Sequence, residues 1–224
     1  MARLKLLNEA DLDRITEATR QAELKTSGEI VTVITSGSGS YTGHVLLAGV
    51  VALAVFSLAY LALLSPVAGF FKRFFWTFDT RQALWVLVAG QAVVFALVYG
   101  GLNLFPGLKS LVISRKDKIA KVRRRAESDF FRQRITSTKG ATGVLIYVSI
   151  FERRVELLVD SSISARVPQP TWQAVVDAII AGIRRRTFVA DLCAQIVRCG
   201  EILSPDFPRR ADDVNELPDR PVVE

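Results

Sequence analysis

The chain has 224 residues, 50% of them apolar, a formal net charge of +7 and a pI near 9.7. That length suits one or two domains, and two cysteines with one histidine exclude a disulfide framework and a Cys/His zinc site. The positive balance fits nucleic acid, anionic lipid or the positive-inside bias of a membrane protein, and the placement of the charges decides between them.

Residues 1–28 are charged and helical in pattern, without the apolar core of a signal peptide. Residues 8–26 read as an amphipathic helix. Asn8 is its N-cap, acidic residues fill its first turns, and Leu12, Ile15, Thr19 and Ala22 share one face. Gly28 suits the exit, and EIVTVIT (29–35), short and β-branched, predicts a strand. The SGSGS that follows leads to no lysine and no amphipathic helix, so it reads as a flexible linker, not a phosphate loop.

From Val45 to Leu64 runs an uncharged apolar stretch, long enough at 1.5 Å per residue to cross about 30 Å of hydrocarbon. Ala83 to Phe105 forms a second uncharged stretch. A soluble helix rarely stays apolar on every face for so long. Between them, residues 65–82 cluster Phe and Trp around Lys72 and Arg73. This is a headgroup-level pattern that places Trp76 and Trp85 at the interface. Two spans joined by so short a segment form a hairpin, with both termini on one side. The second stretch is followed by Lys109, Arg115, Lys116, Lys118, Lys121, Arg123, Arg124 and Arg125. The connection offers Lys72, Arg73 and Arg81, so the termini are expected in the cytosol of a bacterial inner membrane. His44, at the start of the first span, reads as an interfacial residue.

Beyond the hairpin, residues 115–136 predict a long basic helix whose core stripe is Ile119, Val122, Ala126, Phe130 and Phe131. GVLIYVS (143–149) and VELLVD (155–160) predict two strands around a charged turn. A helix over 171–186 buries Trp172, Val175, Val176, Ile179, Ile180 and Ile183. Thr187 caps a last helix to about Leu203, in which Cys193 and Cys199 face different ways as core thiols. Such cysteine usage suits a reducing compartment. The tail is Pro- and charge-rich and is expected to be extended. The expected organisation is therefore 1–43, the hairpin 44–108, 109–206 and the tail 207–224. Strands 29–35 and 143–149 should be parallel. The turn 151–154 then faces the bilayer, and the opposite end gathers Ser27, Glu29, the loop 138–142 and Asp160.

SGEIVTVI (27–34), GATGVLIYVSIFERRVELLVD (140–160) and FPRRADDVNELPD (207–219) occur in an order and spacing that resemble the TPM domain family. The likeness is to its bacterial membrane-bound branch, in which two spans interrupt the domain after its first strand. The resemblance covers nearly the whole chain. It implies an α/β fold, a three-layer α/β/α-type domain interrupted by a transmembrane helical hairpin. Relatives have been assigned phosphatase activity, divalent-metal binding or modulation of a receptor channel. Two departures bear on an enzyme. Asp160-Ser161-Ser162-Ile163-Ser164 stands where many relatives carry Gly-Tyr-Gly-Leu-Glu. Thr136-Ser137-Thr138-Lys139-Gly140 stands where the membrane branch often shows His-Arg-Thr-Glu-Gly.

The residues themselves supply no complete catalytic set. Cys193 reaches Arg198 one residue too early for a cysteine phosphatase loop, and Asp11-Leu12-Asp13 sits in a helix without the threonine of an aspartyl phosphotransferase. Glu29 and Asp160 are the candidate ligands for a hard cation, calcium or magnesium. Lys121, Arg123, Arg124, Arg125, Arg153 and Arg154 are the candidate lipid-facing cations, at about 1 kcal/mol each beside an anionic surface. Nucleic-acid binding is not expected, since no aromatic residues interleave the basic run. Three functions follow: a non-enzymatic scaffold or modulator for an unidentified membrane-protein partner, a metal-dependent phosphatase, and an anionic-lipid-binding surface.

Overall fold

The computed structural model describes residues 7–74, 79–210 and 213–224. The chain divides into two compact units, residues 1–39 with 115–224, and residues 40–114.

The first unit is a mixed α/β domain. Helix α1 (Glu9–Glu23) starts from a reciprocal capping box, in which Asn8 Oδ1 accepts from the Asp11 amide at 2.7 Å and Asp11 accepts from the Asn8 amide. It buries Ile15, Ala18, Thr19 and Ala22. Strand β1 (Glu29–Thr35) lies parallel and in register with β2 (Gly143–Ser149), which pairs antiparallel with β3 (Arg154–Val159). All seven residues of both β1 and β2 are buried, because helices cover both faces. On one face Ile30, Ile34, Val144, Ile146 and Val148 pack with α1, α8 (Gln169–Arg185) and α9 (Phe188–Leu203). On the other, Val31, Val33, Leu145 and Tyr147 pack with Val122, Ala126 and Phe130 of α6 (Arg115–Arg132). Alternation along each strand sends its β-branched residues to opposite layers. The result is three layers.

Several expectations need correction here. The buried stripe of α6 is Val122, Ala126, Asp129 and Phe130, whereas Phe131 is 68% exposed and Ile119 is 38% exposed. Helical spacing favours positions three and four apart, and Phe131 falls off that line. The helix stops at Arg132, because Arg134 adopts a left-handed φ of 55° before a short 3₁₀ turn over Ile135–Ser137. SGSGS is no free linker. The Ser38 amide donates to Glu152 at 3.0 Å, and Ser38 Oγ lies 3.1 Å from the Tyr147 hydroxyl. A further short helix, α7 (Ser161–Ser164), follows β3 with Asp160 as its N-cap. Thr187 precedes α9, but its hydroxyl binds the Asp191 carboxylate and caps no amide.

The tail differs most. Val222–Val223 form strand β4, parallel to β1, so among the described residues the sheet has four strands in the order β3-β2-β1-β4. Leu217 and Val222 pack into the α6 layer, and Thr26 bridges Pro208. Composition alone hides this docking, because its anchors are distant amides and carboxylates.

In the second unit, α2 (Thr42–Ala62) and α4 (Thr80–Leu104) pair closely and are both long and apolar enough to cross a membrane. A Cβ on Gly49 would come within 2.8 Å of the Phe95 ring, so glycine permits the approach. Tyr60 donates to the Ala83 carbonyl at 2.7 Å, and Gln91 to Ser57 Oγ at 2.9 Å, satisfying polar groups inside an apolar pair. Leu58 and Leu97 on the outer faces of the pair are more than two-thirds exposed (68% and 69%). The segment between the pair is helical over Leu64–Phe74 (α3), and a short helix α5 (Pro106–Val112) follows α4. Trp85 and Arg81 are exposed, while Trp76 and the side chain of Lys72 lie outside the described residues.

Candidate functional site

At the end of the sheet where β1 and β2 begin lies a polar cleft of about 380 Å³. Ser27, Glu29, residues 138–140 and Thr142 line it from the sheet end, Ser162 and Arg166 from one side, and residues 206–210, 213, 214 and 216 of the tail from the other. Loop 138–142 is shaped by its threonines. Thr138 Oγ1 accepts from the Thr142 amide at 3.1 Å, and Thr142 Oγ1 donates to the Ser27 carbonyl at 3.0 Å. Arg166 stacks 5.0 Å above the Phe207 ring and donates to the Asp206 carbonyl at 3.0 Å, fixing the start of the tail.

Glu29 is 5% exposed and faces the tail, where its two oxygens accept from the amides of Glu216 and Leu217, each at 3.3 Å. The Glu216 side chain returns to accept from the Lys139 amide at 3.0 Å. Burial pushes the Glu29 carboxyl up, the two amides pull it back, and Asp213 and Glu216 add to the rise. Asp160 sits at the end of β3. Its Oδ1 accepts from the Ser161 amide at 2.6 Å and the Ser161 hydroxyl at 3.2 Å, while Oδ2 has no hydrogen-bond partner among the described residues. Each candidate ligand thus serves main-chain amides. Among the described residues no group of three or more His, Cys, Asp or Glu is arranged to hold a metal ion.

Beside the cleft, a second hollow brings Glu23 together with Glu29, Asp213 and Asp219. Glu23 accepts from the Ile30 amide at 2.9 Å. Burial pushes its carboxyl up to about 8, the amide opposes this, and Glu29 and Asp219 add to it.

The basic candidates divide. Arg123 pairs with Glu127 at 2.7 Å and Glu156 at 3.6 Å, and Arg125 with Glu224 at 2.7 Å and Asp129 at 3.5 Å. Arg124 and Arg153 are exposed, while Lys121 and Arg154 are half-buried. Arg132 reaches Asp129 at 2.9 Å and also contacts Glu224. Burial alone would raise the Glu224 carboxyl, but hydrogen bonds from Arg125 and Arg132 outweigh it and hold the group below its ordinary value.

Sequence reasoning missed Glu23, Asp129 and Glu224. Asp129 carried a signal, since it stands seven residues after Val122 and three after Ala126 on the buried stripe. Glu224 carried none. The thiols offer no nucleophile: Cys199 is fully buried, and burial pushes it up to about 12.

Fold and cleft define a three-layer α/β domain with an inserted pair of long apolar helices. No family model matches the chain, and no curated protein matches it. Among solved structures it is similar to the NMR structure of BA42 protein from the psychrophilic bacterium Bizionia argentinensis. The TM-score is 0.58 and the identity 20%, over 100% of both chains. At that identity the likeness describes the fold.

Proposed function

We propose that the chain is a membrane-anchored TPM-like domain acting as a non-enzymatic scaffold or modulator of a membrane-protein partner. The observation that carries this reading is the use made of the two candidate cation ligands: Glu29 holds the tail and Asp160 caps α7. Both oxygens of Glu29 and Oδ1 of Asp160 are thereby engaged, which leaves no general base paired with a nucleophile among the described residues. The chain's one histidine, His44, belongs to the other unit, and both thiols sit in α9. Purified full-length protein in detergent, given magnesium or calcium and p-nitrophenyl phosphate, should turn over no faster than Glu29→Gln and Asp160→Asn variants. Turnover lost in those variants would replace the scaffold with the metal-dependent phosphatase. That second reading keeps Glu29 and Asp160 as the ligands, and one observation favours it: Asp160 Oδ2 is buried with no hydrogen-bond partner among the described residues.

The lipid-surface reading loses support from Arg123 and Arg125, whose guanidinium groups already have carboxylate partners within the domain. Arg124 and Arg153 remain its exposed candidates. The same reading of the charges puts both termini in the cytosol of the inner membrane. Cysteines placed singly at Ser204 and Ser65 test it. In intact cells an impermeant maleimide should label the second and spare the first, and the reverse pattern would invert the topology.

A further inference from the structure

Strand β4 is only two residues long, yet it is held by a specific device. Val33 and Ile34 of β1 pair with Val222 and Val223, the Glu224 amide donates to the Ile34 carbonyl at 3.0 Å, and the Ser36 amide donates to the Glu224 carbonyl at 3.1 Å. In a strand, residues two apart share a face. Val222 and Glu224 both turn toward α6: Val222 packs with the Val122, Ala126 and Phe130 layer, and Glu224 meets Arg125 and Arg132. Val223 between them is 36% exposed. Beneath the two arginines lies Asp129, 0% exposed, which Arg132 and Arg125 approach at 2.9 and 3.5 Å.

Asp129 explains why the arginines stand ready. One buried carboxylate one turn from each guanidinium orients both heads in the same direction. Asp129, whose carboxyl burial pushes up against the pull of both arginines, answers at most one of the two cations, and Glu224 meets both guanidinium groups. The socket is therefore built for one further carboxylate, and the neighbouring β1 edge fixes where that carboxylate must sit along an extended chain.

We infer that the β1 edge and the Arg125/Arg132 socket form a recognition groove for an extended segment of a partner protein, of pattern apolar–any–acidic, added parallel to β1. In this structure the chain's own residues 222–224 fill it. Sheet-edge addition supplies main-chain hydrogen bonds, and the alternating apolar and acidic positions supply selectivity. Pro218 and Pro221 donate no amide, so between the Glu29 anchor at 216–217 and β4 the tail is held by side chains, among them Arg220 on Glu9 at 2.5 Å, and not by a continuous ladder that a partner strand would have to strip. The inference deepens the scaffold reading and rests on it.

The test uses full-length protein in detergent and a fluorescent, C-terminally amidated peptide of residues 218–224. A groove already filled by its own tail lowers apparent affinity by the fraction of time it is open. Glu224→Lys, which repels the tail from Arg125 and Arg132, should therefore bind the peptide about tenfold tighter than the wild type. Binding should be lost when the peptide's glutamate is replaced by glutamine, and when Arg125→Ala and Arg132→Ala are added to the Glu224→Lys chain. Unchanged far-ultraviolet dichroism shows that each variant folds. Equal peptide binding by wild type and Glu224→Lys, or none by a folded Glu224→Lys chain, overturns the groove. So does dimerisation of that variant without peptide binding, which would make the edge a contact between copies. An absence of phosphatase turnover with no peptide binding removes the groove and leaves the scaffold standing.

Discussion

Trp172→Ala should lower the stability of the α/β unit by about 3–5 kcal/mol, while Trp172→Phe should lower it by about 1 kcal/mol or less. Trp172 is 1% exposed and lies in the larger core layer, with Val175, Ile179 and Leu192 in the same cluster. Truncation to alanine removes the whole indole from a packed site and leaves a cavity that helices joined by the short Arg186-Thr187 connection cannot close. The phenylalanine variant separates two contributions. It loses some ring area, but it also removes an indole Nε1 that is buried with no hydrogen-bond partner among the described residues. An unpaired buried donor costs on the order of 1–3 kcal/mol, so its loss offsets much of the lost packing. Urea unfolding followed by near-ultraviolet dichroism reads both. Equal losses for the two variants would show that the N–H has a partner and that the offset is absent.

The layers that hold Trp172 were legible in the sequence because each element had one dominant signal. EIVTVIT and GVLIYVS are short and β-branched, and they pair as expected, Glu29 with Gly143 through Thr35 with Ser149. The Asn8 cap and the stripe of α8 follow from local rules that act within a turn. Misreadings arose where a residue's type and its place disagree. Phe131 is apolar yet exposed, and Asp129 is acidic yet buried, with two arginines of the same helix beside it that only partly counter the cost of burial. The candidate site was legible as a location: Ser27, Glu29 and loop 138–142 do share one cleft. Its wall was not. The tail joins it through Glu216, Leu217 and Glu224, whose partners are Glu29, Ile34, Arg125 and Arg132, far away in the chain. A two-residue strand has no period to detect, and its stability comes from those distant partners.

Glu23→Gln should make the α/β unit more stable than the wild type at pH 9 by about 3 kcal/mol, with little difference at pH 4. Glu23 has its carboxyl pushed up to about 8 from 4.5, first by burial and then by Glu29 and Asp219, against the pull of the Ile30 amide. Arg20, Arg209 and Asp213 line the same hollow. The sign follows from linkage. The folded state holds the proton more tightly than the unfolded chain, so the stabilisation is complete below pH 4.5 and is lost as the pH rises through 8. The full shift corresponds to about 5 kcal/mol, and solvent reaching the partly exposed hollow reduces the part that appears in stability. Glutamine keeps an oxygen for the Ile30 amide and has no proton to lose, so its stability should stay nearly level where the wild type declines. Thermal unfolding from pH 4 to 9 should show the two melting temperatures separating progressively from about pH 5 and differing by several degrees by pH 8. Parallel curves would mean that the tail carrying Asp219 lifts away and lets Glu23 ionise in water, relieving the strain before the core yields.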